Sequence, residues 1–383
     1  MKNYILKNRW TLMVLMLCLF IVGGLFFYAQ SSREKEEGAR ISYTRYERAK
    51  VVSVMSSDVE NEPLYENAPV GSQQIQVLIQ SGSHKGETYT ASNFIGSLYG
   101  SVVKEGDPVV VAMYFTNGTI KTINVYEYNR TGFILLLVVI FVLVTIAIGG
   151  KKGALSLLGL FLSILALIFI LLPLLYKGFR TIPTTLFICI LIAIISYTLL
   201  EGVTKKTITA MLGTTLGLLF SLGFGLFAQY LVKVDGMKMG DYIDALLQLK
   251  QTGTPIQLRG LLMGGMMIAS LGAIMDVAMS IASSVQELVT VNPSLDRKSV
   301  IRSGMNIGRD MIGTMTNTLI LAFVGSSFVL VMYIYSLGIP AYELLSSTLV
   351  ATQMVHSLAS SIGVILSVPL TVVLSSLIYC KRK

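Results

Sequence analysis

The chain has 383 residues, of which 53% are apolar and 13% charged, with a net charge of +9 and a mean hydropathy of +0.70. That composition excludes an ordinary soluble core and points to an integral membrane protein. The excess of Lys and Arg sits in short loops beside apolar runs, where it orients membrane helices, and gives no reason to infer nucleic-acid binding.

Taken in chain order, apolar runs about one bilayer long recur at 10–29, 133–149, 154–175, 184–200, 208–231, 261–283, 312–335 and about 351–379. This predicts an α-helical polytopic membrane protein with about eight spans, because backbone polar groups in lipid must be paired within the segment. The first run, within residues 1–29, is read as a retained anchor rather than a cleaved signal peptide. Its core is long and no A-x-A-like site closes it. Cys18 lies mid-run behind the bulky Leu17, which argues against a lipoprotein site.

Residues 30–130 make the one sizeable soluble segment, and topology places it outside the cytoplasm. Strand character appears at 49–54, 74–79, 88–91, 108–115 and 119–126, punctuated by Gly-containing turns. Asn117-Gly118 is the best hairpin signal. These runs predict a small β-barrel, of the oligonucleotide/oligosaccharide-binding type, between the first and second spans. His84 falls in a Gly/Ser turn and is read as a solvated loop residue.

Residues 131–383 are the seven-helix membrane domain. Its second to fourth runs are mostly Leu, Ile, Val and Phe and read as lipid-facing scaffold, with Pro173 stopping or kinking the third. Glu201 is expected to form a surface ion pair near Lys205. Gly213, Gly217, Ser221 and Gly225 recur every four residues on the fifth run. They predict a flat helix-packing face, expected to meet Gly265, Ala269 and Ala273 of the sixth. In the loop between them, 241–247 reads as an amphipathic interfacial helix. Met239-Gly240-Asp241 lacks the first glycine of an intramembrane aspartyl protease motif.

Asp276 stands well inside the sixth run. A carboxylate at that depth costs about 2.5–3.5 kcal/mol on insertion scales and usually faces a bundle interior or a pathway. Asp276, Ser280, Ser283 and Glu287 share one helical face; so do Asn306, Asp310, Gly313 and Asn317, with Arg309 beside them. The two helices run antiparallel. At 1.5 Å per residue, Asp276 and Asn317 lie about 10 and 8 Å above the cytoplasmic ends of their helices, so their depths match. The expected site is therefore Asp276, Asn306, Arg309, Asp310 and Asn317, with Glu287 nearer the cytosol. The rival reading is a buried polar network that sets helix register. His356 opens the last run on the opposite side and is a secondary candidate.

The cysteines Cys18, Cys189 and Cys380 are far apart and give neither a disulfide framework nor metal spacing. Paired methionines such as Met263 and Met267 are core packing. No phosphate-binding loop, metalloprotease motif or nucleophile elbow occurs. The sequence therefore predicts no enzyme, no metal and no cofactor.

The stretches LRGLLMGGMMIASLGAIMDVAMSIASSVQEL (258–288), RSGMNIGRDMIGTMTNTLILAFVGSS (302–327) and EGVTKKTITAMLGTTLG (201–217) resemble the YibE/F family of bacterial membrane proteins, most closely its YibE branch. The resemblance runs from about Phe133 to the C-terminus. It implies a multi-pass fold and a paralogous YibF-like subunit as partner, and it names neither substrate nor catalytic residue. A homo-oligomer is the alternative assembly.

Charge bias at Lys2, Lys151, Lys205, Arg297 and Lys381 places both termini in the cytoplasm of a bacterial cytoplasmic membrane. The expected function is permease-like transport of a small solute or ion through a polar site between the sixth and seventh spans. The alternative is a non-transporting membrane scaffold or assembly factor whose exported domain binds envelope partners.

Overall fold

The computed structural model describes residues 23–24, 42–96, 99–116, 118–234, 242–251 and 253–380. The first predicted span lies outside these, apart from helical Gly23 and Gly24. So do Asn117 and the Met239-Gly240-Asp241 stretch. The chain divides into two compact units that part between Ile148 and Gly149.

The smaller unit holds a closed five-stranded barrel. Its strands are β1 (Ser42–Glu62), β2 (Ala68–Ile79), β3 (Thr88–Ile95), β4 (Pro108–Thr116) and β5 (Thr119–Tyr128). They close in the order β1-β2-β3-β5-β4, with β3 and β5 parallel. A barrel of this kind was expected from the turn pattern, although β1 is far longer than its predicted core. The extra length lets β1 pair with β4 through its first half and with β2 through its second. Bulges between Val51 and Ser53, and between Val54 and Ser56, disrupt the regular ladder along the way.

Alternation fills the barrel: Ile75, Val77 and Ile79 of β2 and Val109, Val111 and Met113 of β4 are buried. Polar Gln73 and Asn93 are buried with them and fully engaged. Asn93 Nδ2 donates to Gln73 Oε1 at 3.0 Å, and Gln73 trades bonds with both backbone groups of Val103. At Gly71, φ is +142° and an added Cβ would lie 2.0 Å from the Asp58 carbonyl oxygen. No larger residue fits that approach. The β4–β5 hairpin closes at Thr116 and Thr119, with Gly118 at φ +78°.

The helices are α1 (Thr131–Ala166), followed by a π-turn at Leu167–Leu171 and α2 (Leu172–Tyr176), then α3 (Thr181–Glu201), α4 (Lys205–Val232) and α5 (Tyr242–Gln251). Next come α6 (Leu261–Val291), α7 (Arg297–Ser326), α8 (Phe328–Ser336), α9 (Ala341–Ser346) and α10 (Thr348–Tyr379). Gly150, at φ 55° and ψ −138°, breaks α1 just before Lys151 and Lys152. The π-turn precedes Pro173, whose ring would clash with the carbonyl four residues back in a regular helix. Thr204 caps α4 by accepting from Thr207 N at 3.1 Å. Asp296 caps α7 by accepting from Ser299 N at 3.3 Å, after an Asn292-Pro293-Ser294 turn.

Among the described residues, five helical spans are long and apolar enough to cross a membrane. A sixth arises if α7 and α8, bent by 62° at Ser327, count as one. The predicted straight run 312–335 is thus a broken helix.

In the larger unit α4, α6 and α10 form the centre. Added Cβ atoms at Gly217 and Gly363 would lie 2.9 and 3.0 Å from Ile274, which shows three helices meeting at one point. The expectation that α3 is lipid-facing scaffold is corrected here: half of its apolar window is buried. Thr185, Tyr197 and Thr198 point into the unit. An evenly apolar helix has no moment to declare its inner side, so sequence could not assign it.

Candidate functional site

The small-residue face of α4 decides what else can pack. An added Cβ at Gly213 would sit 2.0 Å from Thr371 Oγ1, and one at Gly217 would sit 3.0 Å from Ser367 Cβ. Ser221 Oγ donates to the Ala359 carbonyl at 3.0 Å. These three positions therefore seat α4 on α10. Gly217 touches α6 as well, through Ile274 Cγ2 at 2.9 Å from its added Cβ, and Gly225 meets α6 at Met266, whose Sδ would be 2.8 Å from its Cβ. Of the anticipated partner row on α6, Gly265 has nothing within 4 Å of an added Cβ and Ala269 is exposed, whereas Ala273 is half-buried against the core. Small residues look alike on either side of a helix, so spacing found the face and one of its two mates, but not α10.

That outward row continues into the site. Gly265, Ala269, Gly272, Asp276, Ser280 and Glu287 are all exposed along one side of α6. Opposite them on the same helix, Met275 offers its carbonyl to the buried Tyr197 hydroxyl at 2.9 Å. The Tyr197 oxygen also lies 2.6 Å from Thr214 Oγ1. Asp276 thus stands one residue from a buried hydrogen-bonded seam joining α3, α4 and α6, with its own side chain uncovered by described residues.

On α7 the polar residues are likewise outward. Asn306, Arg309, Asp310 and Asn317 are exposed, and Arg309 Nη1 donates to Asn306 Oδ1 at 3.4 Å. No ion pair joins Arg309 or Asp310 to Asp276 or Glu287 among the described residues. What turns this face outward is a pair of glycines that sequence reading passed over. Added Cβ atoms at Gly304 and Gly308 would lie 3.0 Å from Val372 Cγ1 and 2.2 Å from Val368 Cγ1. Their four-residue spacing was the available signal. Beyond Gly308 no residue of α7 is buried.

His356 is placed apart, on α10. Its ring lies 4.8 Å from that of Phe323 of α7, and its Nε2 is buried with no hydrogen-bond partner. Glu201 pairs with Lys206 at 2.9 Å and with Lys152 at 3.4 Å, rather than with Lys205. That draws the Lys151-Lys152 and Lys205-Lys206 clusters to one end of the unit. In the barrel, His84 Nδ1 lies 3.0 Å from Glu87 Oε2. The Tyr89 hydroxyl shares the same carboxylate, and this bond above all holds Glu87 below the usual carboxylate range.

Chemically, the membrane unit presents two polar stripes on neighbouring helices. One carries two carboxylates among small residues, Asp276 and Glu287; the other carries two amides, a guanidinium and a third carboxylate. Such a set can take a cation or a proton, or pair with a complementary helix. Among the described residues no cluster of three or more His, Cys, Asp or Glu is arranged to hold a metal.

The family model for YibE/F-like proteins matches residues 137–381, well over half of the chain. No curated protein and no solved structure matches it.

Proposed function

The chain belongs to the YibE/F-like protein family, and from that premise we propose that it is a permease-like protein of the bacterial cytoplasmic membrane. One observation carries the reading: the polar stripes of α6 and α7 are both outward and both uncovered by described residues. Ionisable side chains in spanning helices avoid lipid and face water, a pathway or another subunit. The reading therefore places Asp276 on an aqueous path or at a subunit junction, as proton or cation site, with Asn306, Arg309, Asp310 and Asn317 lining it. The covering subunit is a YibF-like paralogue or a second copy of this chain.

The topology in this reading has eight spans. At 1.5 Å per residue, the 46-residue apolar helix Thr131–Tyr176 would be about 69 Å long. That is more than twice a hydrocarbon core, and Gly150 divides it beside two lysines. Counting it twice, with the bent α7–α8 pair and the run at 10–29, gives eight. Both termini are then cytoplasmic and the barrel is exported. The joining of the two lysine clusters through Glu201 supports one cytoplasmic side.

The test is flux. Purified protein in liposomes, given a potassium diffusion potential, should acidify a trapped pH dye faster than empty vesicles. Asp276→Asn should lower that rate by about a hundredfold or more at equal incorporation, the scale of a lost proton-transfer group. Equal flux in the variant, or none in the parent, rejects the pathway.

The closed barrel favours a second reading, a membrane scaffold whose exported domain engages envelope material.

A further inference from the structure

On the outer face of the barrel, register sets Thr44 of β1 opposite Tyr114 of β4, and Tyr114 opposite Thr122 of β5. A pocket of about 430 Å³ opens at this place. Lys121 lies at its edge, because the register slips between Tyr114 and Phe115 and leaves that lysine as the extra residue of β5. Bulges commonly re-aim a side chain in this way. Asn124 also lines the pocket, and its Oδ1 is buried with no hydrogen-bond partner.

Tyr114 is 42% exposed, and Tyr46 and Tyr126 further along the face are 58% and 59% exposed. The latter two rings meet edge to face at 4.9 Å. The surface is therefore aromatic rings set among hydroxyls and an amide, with a single cation and no carboxylate lining the pocket.

That chemistry discriminates between ligand classes. Nucleic acid draws its affinity from several phosphates neutralised together, and Lys121 with Arg45, which lies over the Tyr43 and Phe115 rings of the lining, is too few. A peptide adding as a strand needs an unpaired edge, whereas the pocket lies over the β1–β4 and β4–β5 ladders, which are paired along their length. A pyranose ring has an apolar C–H face for an exposed tyrosine and equatorial hydroxyls for threonine and asparagine side chains.

We infer that this pocket binds a pyranose glycan, with Tyr114 as the stacking platform and Lys121 receiving a single carboxylate on the sugar. The inference deepens the scaffold reading and needs it for access to glycan; it does not depend on transport.

The test uses the full chain in phospholipid nanodiscs, which carry no sugar headgroups, and calorimetry with two matched probes. Chitotetraose is neutral; the tetrasaccharide of alternating N-acetylglucosamine and N-acetylmuramic acid has the same backbone with carboxylates. Both should bind, the acidic one more tightly. Tyr114→Ala should weaken both by about tenfold, as expected for a central aromatic anchor. Lys121→Gln should remove the preference for the acidic probe and leave the neutral one unchanged. Thr122→Val, a milder change at the pocket wall, should weaken both while the thermal unfolding of the protein stays as in the parent. Absence of binding by either probe up to about 5 mM, where even weak sites register, overturns the inference. So does a Tyr114→Ala protein that binds like the parent. Because no flux is measured, failure here leaves the transport reading standing, and accessibility of the barrel is tested separately below.

Discussion

Tyr197 brings a phenol into the apolar interior of the membrane unit, where it is 1% exposed. Its oxygen is held between Thr214 Oγ1 at 2.6 Å and the Met275 carbonyl at 2.9 Å. With little water to compensate, removing the hydroxyl strands both partners. Tyr197→Phe should therefore cost about 1–3 kcal/mol, the desolvation penalty of buried unsatisfied groups, seen as a lower unfolding temperature in detergent. An unchanged temperature would show that this seam does not hold α3 to α4 and α6. Asp276 contrasts with Tyr197 at almost the same level. The carboxylate was legible in sequence because any charge in a bilayer-length run is an anomaly. The tyrosine was not, since aromatic residues near span ends are ordinary.

At the scale of elements, α7 shows how two glycines orient a whole polar face. Gly304 and Gly308 admit Val372 and Val368 of α10, and Asn306, Arg309, Asp310 and Asn317 are consequently turned away. Gly313, one turn further along, has nothing within 4 Å of an added Cβ. The two positions should respond oppositely to one substitution. Gly308→Ala should destabilise by about 1–3 kcal/mol through overpacking. Gly313→Ala should be neutral or stabilising by up to about 1 kcal/mol, since alanine favours the helix. Thermal unfolding of the purified variants decides between them, and equal effects would contradict the seating of α7 on α10. Packing faces of this kind are recognisable from four-residue spacing, as on α4. Their partners are only partly so: the Gly213 row meets the expected α6 at Ile274 and Met266, and meets α10 as well.

For the whole molecule, the topology sets what each part can reach. Cysteine introduced at Ser83 in the barrel should react with a membrane-impermeant maleimide on intact cells. Cysteine at Lys151 should react only after the cells are opened. Reaction at position 151 from the outside, with position 83 reached only after the cells are opened, would invert the proposed orientation and remove the barrel's access to envelope glycan. The five strands and the apolar helices were legible because alternation, turn residues and bilayer-length runs are local signals that the chain carries within itself. Composition and the apolar runs pointed to a membrane protein, and alternation with turn residues to a small β-rich segment. Which helix covers which, that α7 breaks at Ser327, and that Asp276 looks outward rather than into its own bundle were decided only in the tertiary structure. Those outcomes depend on contacts between residues distant in sequence, and an apolar helix with small residues on more than one side can satisfy its own backbone in any of several packings.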